Sequence, residues 1–132
     1  MKVVVVSGKR KSAVARATVR KGRGLVRVNS VPLEVFEPYL ARVKIEEPLT
    51  LAGDRVSKVD IDINVQGGGF MGQAAATRTA IAKGLVQFLG DEDLQELYSK
   101  YDRSLLVSDP RRKLPKKPLG RGARKKRQKS YR

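Results

Sequence analysis

The chain has 132 residues, of which 29 are Lys or Arg and 13 are Asp or Glu, giving a formal net charge of +16 at pH 7. It contains neither Cys nor His, which excludes disulfides, thiolate metal sites, thiol nucleophiles and the usual general base at neutral pH. The apolar run at residues 3–6 is too short for a signal peptide or a membrane span, so we expect a soluble, cytoplasmic protein without a membrane partner. The length favours one domain, and the charge favours a polyanionic partner, above all nucleic acid.

The positive charge is concentrated at the two ends of the sequence. Residues 1–33 contain nine Lys or Arg and no acidic residue, and residues 110–132 contain twelve and none. Residues 34–109 contain eight basic and thirteen acidic residues. This division predicts a globular body, residues 1–109, with one basic face, followed by a basic tail, residues 110–132. A basic surface that serves only solubility is the alternative, but it leaves the uneven distribution unexplained.

Four segments have the pattern of β-strands. Residues 2–8 form an apolar run typical of a buried strand, and residues 13–20 alternate between small inward residues and polar outward ones. The glycines of residues 21–24 predict a turn, and residues 25–28 return as a strand, so we expect a hairpin here. Residues 59–65 alternate most clearly, which predicts a half-buried strand antiparallel to a neighbour.

Three prolines limit the helices of the less regular segment before the last strand. Pro32 could begin a short helix, whereas Pro38 and Pro48 should end longer ones. Further along, residues 91–101 begin with three carboxylates, which suit the positive end of a helix dipole, and continue with an apolar stripe. We expect a helix there.

Residues 72–89 predict the longest helix, since apolar residues recur at spacings of three and four. Ala76 falls on the arc opposite the apolar one. Arg78 falls inside the apolar arc, where an unpaired buried guanidinium would be very costly. We therefore expect its side chain to reach solvent or an acidic partner.

The segment "QGGGFMGQAAATR", residues 66–78, joins a strand to this helix through a glycine run. The glycines allow close approach of the backbone, and no side chain precedes the helix to cap it, so its first N–H groups could bind phosphate. The spacing from Gly67 to Gly72 resembles a P-loop, but Gln73 and Ala74 stand where a nucleotide-binding loop needs Lys and Ser or Thr. Phosphate contact without nucleotide catalysis is therefore the functional interpretation. A tight structural turn is the alternative.

The basic run Lys9, Arg10 and Lys11, with Arg16 and Arg20 on one face of the next strand, favours contact with a nucleic-acid backbone. Such cations position a protein on phosphates and do not read sequence. A solvated basic face is the alternative. The carboxylate pairs lie on a strand face or in a first helical turn, and the sequence contains no sign of an enzyme.

The tail has too few apolar residues to offset the entropy of ordering, so it should be extended or disordered when free. Fully extended, its 23 residues could reach about 75 Å. Tyr131, its only aromatic residue, could stack on a base or sugar. A nuclear-import-type address or a nonspecific basic tail is the alternative to RNA binding.

Three motifs, "GKRKSAVARATV", "VQGGGFMGQAAATRTAIAKGL" and "DPRRKLPKKPLGRGARKKRQKSYR", occur in this order and together resemble the universal family of the ninth small-subunit ribosomal protein. The "KLPKKPLG" stretch and the "KSYR" ending resemble its archaeal and eukaryotic branch. The resemblance implies an α+β body with a four-stranded sheet and packed helices, a fold shared with small-molecule kinases, and a long basic extended tail. It also implies a structural, non-enzymatic role in the head of the small subunit, without cofactor or homo-oligomer.

The resemblance implies three partners: small-subunit ribosomal RNA, the anticodon stem-loop of the peptidyl-site (P-site) transfer RNA, and neighbouring proteins of the head. The residues that it assigns to ribosomal RNA in the body are Lys9, Arg10, Lys11, Arg16, Arg20, Gly67, Gly68, Gly69, Phe70, Gly72, Gln73 and Arg78. Those that it assigns to ribosomal RNA in the tail are Arg111, Arg112, Lys113, Lys116, Lys117, Arg121, Arg124, Lys125 and Lys126. Those that it assigns to transfer RNA are Arg127, Lys129, Tyr131 and Arg132.

Two other functions remain as alternatives. A metabolite kinase of the related fold would bind ATP and magnesium. A general DNA-condensing protein would bind any duplex equally.

Overall fold

The computed structural model describes residues 2–108, 110–112 and 114–124. Within them, one sheet has the strand order β1-β2-β5-β3-β4, formed by β1 Val3–Arg10, β2 Ala13–Lys21, β3 Val26–Val28, β4 Val31–Pro32 and β5 Val59–Gln66. The helices are α1 Tyr39–Ala52, α2 Phe70–Leu89 and α3 Glu92–Tyr101, with 3-10 turns at Leu33–Val35, Gly53–Lys58 and Arg103–Leu105. This confirms the α+β class. The described sheet has five strands rather than the expected four because the two-residue β4 extends one edge.

The predicted hairpin of residues 13–20 and 25–28 is wrong. β2 instead forms a hairpin with β1, and β5 lies between β2 and β3, antiparallel to β2, as predicted, and parallel to β3. The glycine turn binds the start of β5: Gly22 N and Gly24 N donate to the carbonyl oxygens of Lys58 and Val59 at 3.1 and 2.8 Å. The turn therefore leaves room for a third strand.

The same turn is held by the side chain of Asp60. The backbone N–H groups of Arg23 and Leu25 donate to Asp60 Oδ1 at 2.9 and 3.1 Å. These two hydrogen bonds lower the pKa of the Asp60 carboxyl below its usual value. The carboxylate thus satisfies turn N–H groups that a two-stranded hairpin would have paired.

The core lies on one face of the sheet, where the helices cover it. The alternation in β2 and β5 is confirmed: their inward residues, from Ala13 to Val19 and from Val59 to Val65, are buried. The opposite face has no covering element in the described residues. For that reason Val3 and Val5 are 49% and 64% exposed, and the prediction of residues 2–8 as a buried strand is wrong, since only one face of β1 is buried.

Helix α2 packs very closely on the sheet. A Cβ built on Gly8 would lie 2.3 Å from the carbonyl oxygen of Ala76, so only glycine fits on β1 at this crossing. Ala76, predicted on the polar arc, is fully buried because its side of α2 faces the sheet at the Gly8 crossing. Helices α1 and α3 also pack against α2. A helix covered on two sides has no wide polar face.

Pro48 does not end a helix, contrary to the prediction, but lies inside α1. Proline removes one helical hydrogen bond. Here Pro48 is buried, and its carbonyl oxygen accepts a hydrogen bond of 2.7 Å from the Tyr98 hydroxyl. Burial raises the pKa of this Tyr98 hydroxyl. The proline therefore connects α1 to α3 in the core.

Among the described helices, none combines the length and the apolar character needed to cross a membrane.

Candidate nucleic-acid interface

The turn between β1 and β2 presents the basic run at one end of the sheet. β1 ends with Lys9 and Arg10, and Lys11 makes the turn with a φ of 54°. Lys9 and Lys11 are exposed, and within the described part of the chain neither has an ion-pair partner. The hairpin register places this turn beside the end of β5, since Val14 pairs with Gln66.

The glycine run follows β5 and packs directly on this turn. Gly67 and Gly68 have φ values of 80° and 68°, which disfavour other residues. A Cβ at Gly67 would lie 2.3 Å from the Ser12 carbonyl oxygen, and one at Gly68 would lie 3.2 Å from the Ala13 Cβ. The close approach requires glycine and brings the two predicted motifs together. We call residues 9–12 and 67–73 the hairpin end.

Helix α2 begins at the hairpin end with its first N–H groups uncapped. Gly69 is the N-cap and supplies no side chain, and Gln73 N is the first to donate within the helix, to Gly69 O at 2.9 Å. Phe70 beside it is 60% exposed. The Gln73 amide donates to Gly67 O at 3.2 Å, so it braces the loop. The positive end of the helix dipole thus adjoins Lys9 and Lys11.

A polar cleft of about 500 Å³ extends from the hairpin end along the open face of the sheet. Arg16 is exposed there and has no carboxylate partner among the described residues. The lining residues are Ser12, Val14, Arg16, Asn29, Asn64, Gln66 and Gly67. Sequence reasoning missed Asn64 and Gln66 as candidates, although both continue the polar face of β5 toward the glycine run.

Arg20 lies farther along the same face, but its charge is partly neutralised. Its Nη2 is 2.5 Å from Asp62 Oδ2, and Arg27 Nη2 is 2.9 Å from Asp62 Oδ1. All three side chains are 35–43% exposed. The cluster has one net positive charge, so Arg20 is a weaker anion ligand than Arg16.

Arg78, which the resemblance assigns to RNA, is only 6% exposed. Its guanidinium donates to Glu47 Oε2 at 2.8 Å, to Asp102 Oδ2 at 3.1 Å and to Ser104 Oγ at 3.2 Å. The expectation that it meets an acidic partner is confirmed. This burial and these three partners argue against direct contact of Arg78 with RNA.

Asp102 binds this guanidinium and also caps the turn that follows α3. The backbone N–H and the hydroxyl of Ser104 donate to Asp102 Oδ1 at 2.9 and 2.8 Å. The backbone hydrogen bond, followed by the Ser104 hydroxyl and Arg78, holds the pKa of the Asp102 carboxyl below its usual value. The carboxylate is thus kept charged beside Arg78.

The tail begins near the hairpin end. Arg111 lines a cleft of about 500 Å³ together with Lys9, Arg10 and Lys44. Lys117 N donates to Gly122 O at 3.4 Å, so a turn interrupts the expected extended chain. The described and exposed tail cations are Arg111, Arg112, Lys116, Lys117, Arg121 and Arg124. The remaining predicted residues lie outside the described part: Lys113, Lys125, Lys126, Arg127, Lys129, Tyr131 and Arg132.

Comparison with known proteins matches residues 8–132 to the family model described as "Ribosomal protein S9/S16". The chain is similar to small ribosomal subunit protein uS9 of Methanothrix thermoacetophila, with 57% identity over 132 residues that cover 100% of both chains. The uS9 protein of Thermoplasma volcanium is 54% identical over 132 residues, with the same full coverage. That of Picrophilus torridus is 53% identical over 129 residues, covering 98% of this chain and 97% of the relative.

Proposed function

This chain belongs to the ribosomal protein S9/S16 family, and on that premise we propose that its hairpin end binds ribosomal RNA while its tail reaches the P-site transfer RNA. The protein is a structural constituent of the small ribosomal subunit and not an enzyme. It acts in the cytoplasm, where it associates with ribosomal RNA and other ribosomal proteins. The archaeal relatives agree with the branch that the "KSYR" ending indicated.

One observation supports the proposal for ribosomal RNA: two kinds of phosphate ligand lie together at the hairpin end. Lys9 and Lys11 supply ammonium groups that have no ion-pair partner among the described residues, and α2 supplies uncapped N–H groups at the positive end of its dipole. Gly69 lies between them, and a Cβ built there would meet nothing within 4 Å, so an RNA backbone can approach the loop closely at this residue. Arg16 extends the cluster onto the open face.

The same geometry argues against the kinase alternative. The side chain at the position of the P-loop lysine is Gln73, and its amide is used to brace Gly67 O. Ala74 follows, which has no hydroxyl for magnesium. The loop can bind a phosphate of a nucleic-acid backbone, but the residues for transferring one are missing from this segment.

We expect a variant with Lys9→Gln, Lys11→Gln and Arg16→Gln to bind small-subunit ribosomal RNA at least about tenfold more weakly near 0.15 M salt. Each lost phosphate contact removes released counterions, so the slope of log K against log salt should become shallower by about 2 to 3. Fluorescence anisotropy with labelled ribosomal RNA over a salt series measures both quantities.

The chain offers a matched control at the opposite end of the sheet. Lys21, Arg23 and Lys58 are also two lysines and one arginine, all exposed, and they lie roughly 25 Å away by the rise of the strands. Their triple Gln variant has the same net charge. Equal weakening by both variants, or equal binding of any DNA duplex, would mean that only bulk charge matters and would reject the proposed site.

The proposal for transfer RNA rests on the sequence of the last residues and on the family. Lys129 and Arg132 lie at the end of a long basic tail. A guanidinium fork can bind two phosphate oxygens at once, so we propose that Arg132 contacts the transfer-RNA backbone.

Removing residues 129–132 should weaken P-site transfer-RNA binding while small subunits still assemble. The loss of two contacts predicts a decrease in affinity that grows as salt is lowered. Filter binding of transfer RNA to purified subunits, with the variant at full occupancy, measures it. Unchanged affinity at low salt would show that these residues are not ligands.

A further inference from the structure

Four large apolar side chains are exposed in one short segment around the start of α1. Val35 and Tyr39 are each 64% exposed, Leu40 is 70% exposed and Val43 is 39% exposed. Single exposed apolar residues need no explanation, but a contiguous group of them marks an interaction site. Leu40 and Val43 also line the cleft that contains Lys9, Arg10 and Arg111, whereas Val35 and Tyr39 do not line it.

Arg42 joins the two parts of this group. Its Nη1 donates to the carbonyl oxygen of Glu34 at 2.9 Å, and its guanidinium lies 5.0 Å from the centre of the Tyr39 ring. The 3-10 turn that contains Val35 is therefore fixed beside the first turn of α1. This part of the group is therefore preformed, which lowers the entropic cost of binding.

This surface carries more carboxylates than cations, unlike the two ends of the sequence. Residues 34–47 contain four carboxylates and two cations. Glu34 and Glu37 are exposed, and their carboxylates have no cationic partner within the described residues. We call Glu34, Val35, Glu37, Tyr39, Leu40 and Val43 the acidic apolar surface.

The chemistry of this surface disfavours RNA. Free carboxylates repel phosphates, and exposed aliphatic side chains cannot satisfy the polar groups of a sugar-phosphate backbone. A segment with lysines or arginines beside apolar residues would fit, since its cations can pair with Glu34 and Glu37 while its apolar side chains cover Leu40 and Val43.

From this charge and this exposure we propose that the acidic apolar surface docks a basic, apolar segment of another small-subunit protein. The inference rests on the proposed function, because only assembly into the subunit supplies that partner. Beyond the proposed function, it specifies which surface of this protein binds another protein and what kind of segment that surface fits.

The test compares three samples: the free full-length chain, the chain bound to naked ribosomal RNA, and native small subunits. A carbodiimide couples a carboxylate directly to a lysine that touches it, and mass spectrometry identifies the partner. Hydroxyl radicals report the accessibility of Tyr39 and Leu40. We expect Glu34 or Glu37 to cross-link to a lysine of one other subunit protein, and both apolar side chains to lose reactivity, only in native subunits.

Two controls keep the outcomes separate. Glu96 is exposed on α3 and should give no such cross-link, and Glu37→Gln should abolish the cross-link at that position. Protection by naked ribosomal RNA, a cross-link between two copies of the free chain, or unchanged reactivity in subunits would each overturn the proposal. In the same samples, acetylation of Lys9 and Lys11 reports the RNA interface, so failure of one proposal is distinguishable from failure of the other.

Discussion

Replacing Arg78 by leucine is expected to lower the free energy of unfolding by about 3 kcal/mol, because it leaves two carboxylates facing a partly buried apolar group. The Arg78 side chain is 7% exposed and binds Glu47 and Asp102, which come from α1 and from the turn after α3. Through this one guanidinium, three separate segments are held together. Removal of one member of a buried ion pair costs far more than the pair contributes.

The partial exposure of the two carboxylates limits the loss of stability. Glu47 and Asp102 are 36% and 42% exposed, so water can partly solvate them when the guanidinium is gone. Adding Glu47→Gln to the Arg78→Leu variant should recover part of the lost stability, because it removes one unpaired charge. Recovery in the double variant would identify repulsion and desolvation, rather than lost packing, as the cause.

Urea unfolding followed by circular dichroism measures these differences. Arg20→Leu is a suitable control, because Arg20 is 43% exposed and Asp62 keeps Arg27 as a partner after the change. We expect it to cost less than about 1 kcal/mol. If Arg78→Leu and Arg20→Leu destabilise the protein equally, the network is no more than a surface ion pair.

Local patterns in the sequence predicted most of the helices and strands. Strand pairing and the position of Pro48 inside a helix depend on long-range contacts, which local patterns do not reveal. β2 and β5 were predictable because their alternation is a property of neighbouring residues. The parallel pairing of β3 with β5 was not, because it depends on backbone hydrogen bonds between residues more than thirty positions apart, from Ile61 N to Leu25 O and from Asn29 N to Ile63 O. Pro48 remains in a helix for a similar reason: Tyr98 binds its carbonyl oxygen from α3.

In the candidate site, too, the individual motifs were predictable from the sequence but their arrangement in space was not. Its basic run and its glycine loop were each predictable, since both are visible directly in the residue types of the sequence. The basic run and the glycine loop meet because the turn of the β1–β2 hairpin lies beside the end of β5. The predicted topology did not contain this hairpin. Arg78 required a partner on energetic grounds, but Glu47 and Asp102 lie 31 and 24 residues away and could not be named beforehand.

Deleting residues 110–132 is expected to be the most severe change for RNA binding while leaving the body folded. The deletion removes twelve cations and leaves 17 against 13 carboxylates, so the net charge falls from +16 to +4. If six of the lost cations bind phosphates, the slope of log K against log salt becomes shallower by about 4 to 5. That exceeds the effect of the triple variant at the hairpin end.

The body should keep its stability because the tail supplies it with little apolar contact. Leu114 and Leu119, the only large aliphatic residues of the tail, are 58% and 86% exposed. The body's own last residues are anchored, since Lys83 Nζ donates to Ser108 Oγ at 3.3 Å. A thermal melt of the truncated protein should therefore remain cooperative, with a midpoint close to that of the full chain.

Salt series and melts on the full and truncated proteins separate the two roles. A steep loss of RNA affinity with an unchanged melt assigns the tail to binding, and the remaining affinity should still respond to Lys9→Gln, Lys11→Gln and Arg16→Gln. Loss of the cooperative melt would instead make the tail part of the fold. An unchanged salt slope would mean that its cations do not bind phosphates, and RNA binding would then rest on the hairpin end alone.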